Sequence, residues 1–351
     1  MITHLLSSVS LSLCLLSPLA AQEAANAIPV TKTDAEAAEA FRAWSAGLDS
    51  APHFPAQMHL DFEMEFDMEM DEAAELEMEF ELDADLLLDG KDAFRSWGKG
   101  KVEFDAMGAF ELDWRFDYNL LSNEEGLRMT FIHNNGLKDA FGFHLPSAFT
   151  LSADRMNKFL KGYAQLVEVM FNAYLPEGSE KLTLEDGVLG LLHPVAMSRT
   201  LGNYPGLLIV GWGEADGKVI LLTKADWDMV KDMMAGEPMP FDIDKLKDQV
   251  YTLVMDAETG ALLDYSFEME MPIDVVEEGV HVKGEMEMEM SMRTVPVGEP
   301  KPVVFPEDMK VLDCNVPFDK YWPMMEMVLA MSESEMRNML DGAEAEEDYE
   351  F

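Results

Sequence analysis

The stretch Met58–Asp71 reads MHLDFEMEFDMEMD, an unbroken alternation of Met64, Phe66, Met68 and Met70 with Glu63, Glu65, Asp67 and Glu69. Successive side chains of a strand point to opposite faces. The run therefore predicts a β-strand with one apolar and one acidic face. The style recurs at Glu75–Leu88, where Leu76, Met78, Phe80 and Leu82 alternate with Glu77, Glu79, Glu81 and Asp83. It recurs again at Val280–Thr294, with Met286, Met288, Met290 and Met292 on one face.

Working outward, the first two runs form a hairpin turning at Asp71–Ala74. Further strands are expected near Phe94–Ala106, Ala109–Leu120 and Leu127–His133. Gly98 and Gly100 weaken the first of these or mark a bulge. Before the strands, Thr33 and Glu36 suit a capping box for a helix over Asp34–Gly47. Mid-chain, Ser152 can cap a helix over Ala153–Tyr174, whose apolar residues follow helical spacing. A second helical patch covers Glu185–Met197, interrupted by Pro194. Leu207–Trp212 and Lys218–Leu222 read as a hairpin about Asp216-Gly217. Thr223 is placed to cap a helix over Lys224–Met234. Strands return at Gln249–Met255, Ala261–Ile273 and Val280–Val295. A Pro-rich strap, Pro296–Pro306, and a helix over Lys320–Leu340 close the chain.

The chain has 351 residues, with 68 acidic and 25 basic side chains for a formal charge of -43. That charge makes nucleic acid and anionic membrane surfaces poor partners for its bulk. Cations at the acidic face, basic proteins or a saline medium are better matches. Neighbouring strands that both present carboxylates set like charges ~5 Å apart. The penalty calls for salt, cations or interleaved Lys and Arg, and Lys91, Lys99, Lys101, Arg115 and Lys283 are few. Ca²⁺ asks for six to eight converging oxygens, and no loop has that spacing, so no metal site is expected.

Met1–Ala21 reads as a secretory signal: the apolar stretch Leu5–Leu19 is followed by Ala20-Ala21-Gln22. Its start carries no Lys or Arg. The expected organisation is a signal over 1–21, one domain over 22–341 with a helical insertion near 181–241, and a disordered acidic tail over 342–351. Localisation is then periplasmic or extracellular. Of the two cysteines, Cys314 alone would remain, so no intramolecular disulfide forms. No other stretch reaches the ~18 apolar residues of a membrane helix, which argues against an integral helical membrane protein.

Many of the 29 Met residues stand where strands prefer Val, Ile or Thr. Thioether side chains conform to variable apolar surfaces, which suits either a soft filled core or a cavity for hydrophobic ligands. Cu(I) binding by Met286, Met288, Met290 and Met292 would need a bend, because points on one strand do not converge. No GxSxG, phosphate loop, HExxH or CxxC occurs. His133, His144, His193 and His281 are scattered, and the acidic neighbours of Cys314 raise a thiol pKa. A non-enzymatic protein without cofactors is expected.

The segment Tyr251–Tyr265 reads YTLVMDAETGALLDY and resembles the hairpin of LolA-like proteins: a strand ending at Asp256, then a turn closed by Thr259-Gly260. The resemblance implies an unclosed β-barrel plugged by helices, in a family that carries or senses lipids and lipoproteins in the bacterial envelope. The family's buried Arg has no assignable counterpart here.

Together these readings predict an α+β fold: a large curved antiparallel sheet, an unclosed half-barrel, with helices packed on its concave face. The expected function is non-enzymatic binding or carriage of a hydrophobic small molecule or lipid. The candidate lining is Phe62, Met64, Phe66, Phe80, Trp97, Phe104, Trp114 and Phe116 from strands, with Phe159 and Tyr163 from the helix Ala153–Tyr174. The alternatives are a structural or partner-binding envelope protein with a filled core, and an outer-membrane β-barrel.

Overall fold

The computed structural model describes residues 28–48, 54–70, 74–106, 110–142, 146–174, 183–184, 187–202, 206–227, 246, 249–277, 280–299 and 310–331. The expected signal (1–21), the first hairpin turn at 71–73, His144, most of the helix expected over Lys224–Met234, the strap from residue 300, the acidic tail and the end of the last expected helix lie outside the described residues.

In chain order the elements begin with β1 (Lys32–Thr33), α1 (Asp34–Ser45), β2 (Ala56–Met70), β3 (Ala74–Gly90), β4 (Ala93–Ala106), β5 (Phe110–Asn123) and β6 (Gly126–His133). Then come α2 (Gly136–Phe141), β7 (Ala148–Ser152), α3 (Ala153–Tyr174), α4 (Gly187–Leu192), α5 (Pro194–Gly202), β8 (Leu207–Ala215) and β9 (Lys218–Ala225). The chain continues through β10 (Tyr251–Asp256), β11 (Leu262–Glu277), β12 (Val280–Val295), β13 (Val311–Asp313) and α6 (Asn315–Leu329).

The fold is α+β. Among the described residues thirteen strands form one sheet, ordered β1-β8-β9-β10-β11-β12-β2-β3-β4-β5-β6-β7-β13. Neighbours are antiparallel except β13, which runs parallel to β7. Two meanders, β2–β7 and β8–β12, meet at a central seam where β12 pairs with β2 from Gln57↔Val295 to Met70↔Val282. The sheet does not close into a barrel, because β1 and β13 are its two edges. A lipid-spanning barrel must close to satisfy its edges, so the outer-membrane barrel alternative does not fit.

Register carries the alternation across the sheet. Met288 lies opposite Met269 and Met64, Met64 opposite Phe80, Phe80 opposite Val102, and Val102 opposite Trp114. The helices bury this apolar face. Ala37 and Phe41 of α1 pack with Trp212, Leu221, Leu253 and Met255. Met156, Leu160 and Ala164 of α3 pack with Leu86, Leu88, Phe94, Leu127 and Leu151. Between them, Trp227, Leu246 and Tyr251 join Phe66, Met269, Met271, Met286 and Met288 in one cluster.

Several local expectations change. The capping box at Thr33 does not form: Thr33 is the N-cap of α1, extended as such residues normally are, but its side chain makes no cap hydrogen bond. Thr223 caps no helix; it is fully buried inside β9, opposite Tyr251. The helical patch is interrupted at Pro194 as expected, and Pro194 begins α5, where its fixed φ suits a first turn. The last helix starts at Asn315, five residues before the expected Lys320. No bulge marks Gly98 or Gly100, where β3–β4 pairing is continuous. A Cβ at Gly98 would lie 2.2 Å from the Asp83 carbonyl oxygen, and one at Gly100 would lie 2.4 Å from the Phe116 ring. These glycines let neighbouring groups approach closely.

The hairpin β10–β11 turns through Asp256, whose Oδ1 accepts from the Glu258 N–H, the Thr259 N–H and the Thr259 hydroxyl. Gly260 follows at φ +72, the left-handed region that favours glycine. The Asp, Thr and Gly of the quoted segment thus each have a mechanical task in the turn.

Candidate functional site: an aromatic face and an acidic face

Strand parity sorts the ten candidate lining residues into three groups. Phe62, Met64, Phe66, Phe80, Phe104, Trp114 and Phe116 share the apolar face. Trp97 does not: it has the parity of Lys99 and Lys101, opposite Asp85 and Asn119, and lines a hollow with Asp83, Asp85 and Lys99. Phe159 and Tyr163 stack on each other at 6.0 Å and point to solvent, 39% and 44% exposed. Helix α3 meets the sheet through Met156, Leu160 and Ala164 instead, which lie on another side of its helical wheel.

The apolar face itself divides. Around Phe66, Met68, Met271 and the three methionines Met269, Met286 and Met288, each 1% exposed, it is sealed, with Phe62, Met64 and Met290 partly buried at the margin. Over β4, β5 and β6, Val102, Phe104, Leu112, Trp114, Phe116, Tyr118 and Phe131 are only half-buried and belong to no buried cluster among the described residues. They form a chain of ring contacts. Trp114 meets Phe116 at 4.4 Å, Phe116 meets Phe131 at 5.9 Å, and Phe131 meets Phe149 at 5.8 Å. The Phe116 ring lies over Gly100. Trp114 Nε1 is shut off from solvent and donates to no acceptor among the described residues, a state that costs about 1–3 kcal/mol. Tyr118, by contrast, exchanges a 2.8 Å hydrogen bond with Ser96, and burial raises its pKa. Tyr118 and Phe131 were absent from the candidate lining, although Tyr118 shares the parity of Trp114 within β5. Phe131 becomes visible only through its pairing with Tyr118.

The opposite face carries carboxylates in rows. One runs Glu270, Glu287, Glu65, Glu79, Glu103, Asp113; another runs Glu285, Asp67, Glu77, Asp105, Glu111. A hollow of about 840 Å³ on this face is lined by Glu65, Asp67, Glu77, Glu79, Glu103 and Asp113 among others. Cations are placed at one end. Lys101 Nζ lies 2.6 Å from Glu79, 3.4 Å from Glu81 and 3.2 Å from Glu103. Burial works against its charge, but the Glu79 and Glu103 carboxylates hold its pKa well above the ordinary lysine value. Arg115 bridges Glu103 and Asp113. Carboxylate oxygens of Glu63, Glu65 and Glu79 lie within 4.8 Å of one another. Three such oxygens fall short of the six to eight that Ca²⁺ requires, so this trio does not make a calcium site.

The crowding has a pH signature. Burial and then Glu81, Glu289, Glu65 and Glu79 raise the Glu63 pKa above 4.5. A side-chain hydrogen bond with Glu270 raises that of Glu285. A carboxyl whose folded pKa is raised binds its proton more tightly when folded, so stability falls as pH rises from 4.5 through the folded value. Three groups act the other way. The Arg155 guanidinium lowers the Asp319 pKa, and the Lys158 ammonium lowers that of Glu326. At Asp256 burial opposes ionisation, but the Thr259 hydrogen bonds outweigh it. Their stabilisation is lost as pH falls below 4.5 and 3.8, the ordinary values of Glu and Asp. The melting temperature should therefore rise on acidification from pH ~7 to ~5 and drop below pH ~4. Scanning calorimetry across that range checks it; a melting point that falls steadily from neutral pH would refute it.

In Cys314, burial and then Asp313 raise the thiol pKa, which leaves it a poor nucleophile at neutral pH.

No protein-family model matches the sequence, and no curated protein matches it. The LolA-like resemblance of Tyr251–Tyr265 therefore gains no family match. A solved structure of lipovitellin, concerned with lipid–protein interactions in that protein, is similar at 8% identity with a TM-score of 0.25. The match covers 72% of this chain and 26% of the lipovitellin chain, so this chain spans about a quarter of its length. A likeness at that score carries no argument about function. Among the described residues no helix is long and apolar enough to cross a membrane.

Proposed function

We propose that this protein is a non-enzymatic binding or carrier protein for hydrophobic ligands of the lipid or acyl-chain class, acting in the periplasm or outside the cell. The observation that supports it is the half-buried aromatic face of β4–β6 beside a sealed methionine core of the same sheet. Large apolar side chains left half-open on a defined surface mark a binding site more often than a packing fault. A LolA-like mode, with the ligand against the apolar face of an unclosed sheet, belongs to the same reading. The filled-core alternative is favoured only around Met68, Met269, Met271, Met286 and Met288, which are already buried.

Native mass spectrometry of protein purified from its host, with lipid extraction, tests this directly. Co-purifying lipid is expected, together with displacement by a fluorescent fatty-acid probe. Phe104→Asp, which sets a charge on the face, should weaken probe binding at least ~10-fold, because a desolvated charge is costly. An empty protein that also ignores the probe would sink the proposal.

A further inference from the structure

The thirteen methionines in the strands of the sheet are not spread along it. Eleven stand on four adjacent strands, β11, β12, β2 and β3, against one on β6 and one on β10. Strands β4 and β5 continue the same apolar face with Val102, Phe104, Leu112, Trp114 and Phe116, and carry no methionine. A general tolerance for methionine in the core would not stop at β3.

Register turns this concentration into a cluster. Met288 of β12 lies directly opposite Met269 of β11 on one side and Met64 of β2 on the other. In the next row Met286 lies opposite Met271. All five belong to one packed apolar cluster. Directly opposed residues on one sheet face have Cβ atoms ~5 Å apart, and two thioethers on flexible, unbranched side chains can close that gap. One strand cannot bring its own sulfurs to a point, but three adjacent strands present theirs side by side without any bend.

The surroundings select the kind of ion. Met269, Met271, Met286 and Met288 are sealed from water, and Met64 is partly buried beside them. Hard cations such as Ca²⁺ and Mg²⁺ take oxygen ligands, and the carboxylates lie on the opposite face. Neutral, soft thioethers suit Cu(I). Taking a charge into a dry core is costly. Here Glu63 and Glu65 flank Met64 along β2, and Glu287 and Glu289 flank Met288 along β12. These four lie opposite one another in pairs on the far face of the same two strands. A monovalent cation under the methionines is attracted to them and offsets their mutual repulsion. We infer that Met64, Met269 and Met288 form a Cu(I)-binding site, with Met271 and Met286 completing its thioether wall. This inference does not depend on the ligand proposal, since the ion would occupy the sealed part of the face and not the open one.

The test is anaerobic calorimetric titration of the full chain with Cu(I) delivered as its acetonitrile complex, which keeps the ion reduced and competes only weakly. Saturable binding of one ion per chain is expected. X-ray absorption of the one-equivalent sample should show sulfur ligands and no oxygen or nitrogen. Met288→Leu keeps the side chain apolar and nearly the same size, and should weaken binding at least ~10-fold, the least that loss of a metal-site partner costs. Met64→Leu with Met269→Leu should do the same. Met324→Leu with Met327→Leu, at exposed positions of α6, should leave the affinity unchanged. Circular dichroism should show all three variants folded. A wild type that gives no saturable binding overturns the inference. So does an affinity that both core variants keep, one that the α6 pair abolishes, or an absorption spectrum dominated by oxygen and nitrogen.

Discussion

Raising NaCl from ~10 mM to ~1 M should increase the unfolding free energy by a few kcal/mol, the reverse of the loss expected when surface ion pairs dominate. The cause is the register. Among the described residues twelve directly opposed carboxylate pairs lie on one face between β11 and β5, from Glu270↔Glu287 to Asp105↔Glu111. At a few tenths of a kcal/mol per unscreened like-charge pair, they cost roughly 3–5 kcal/mol together. That is a large share of the ~5–15 kcal/mol by which a folded domain typically survives. The Debye length shrinks from ~30 Å to ~3 Å over this range. The ion pairs of Lys101 and Arg115 weaken as well, but they are few beside the repelling rows. Urea titrations at fixed pH and several NaCl concentrations measure the effect. A flat or falling unfolding free energy would mean that the acidic face is compensated in some other way.

The second large effect concerns two glycines only two residues apart. Gly98→Ala should cost about 3 kcal/mol or more and reduce the folded yield, while Gly100→Ala should cost about 1 kcal/mol. At Gly98 the added Cβ meets backbone: the Asp83 carbonyl at 2.2 Å and Ala84 Cα at 2.8 Å. Neither atom can yield without parting β3 from β4. At Gly100 the obstacle is the Phe116 ring, a side chain that can rotate at the expense of its contacts with Trp114 and Phe131. Gly100→Ala should therefore also disturb the aromatic face and weaken fatty-acid probe binding. Equal destabilisation by the two substitutions would refute the distinction.

The sequence reveals most where its period is unbroken. Strands β2, β3 and β12 are visible from alternation alone, and α3 spans the expected Ala153–Tyr174. The hairpin turns at Asp216-Gly217 and Asp256–Gly260 are visible because their residues build them. Edge strands are another matter. Strand β13 is three residues long and pairs with Ala148–Thr150, far away in the chain, so no local pattern announces it. Trp97 shows the limit for the site. Gly98, Gly100 and the intervening lysine break the alternation of β4, and the face of Trp97 is fixed only by its partners Asp85 and Asn119. Phe159 and Tyr163 share a helical stripe four residues apart, but which side of α3 meets the sheet depends on tertiary docking. The division of the apolar face into sealed and open parts depends on which helices cover it, and strand periodicity carries no such information.

The central seam also governs how the chain is made. Met70 pairs with Val282 and Gln57 with Val295, so β2 has no partner on that side until ribosomal synthesis has reached residue 282, and its full partner only past residue 295. Through that interval the β2–β7 meander presents a long Met- and Phe-rich edge to every neighbouring nascent chain, the kind of edge that seeds aggregation. Glu63, Glu65, Asp67 and Glu69 on that edge would meet the same residues in any second copy that tried to pair in register. The charge that burdens the finished sheet thereby shields its half-built form, and only β12 arrives tethered closely enough to overcome it.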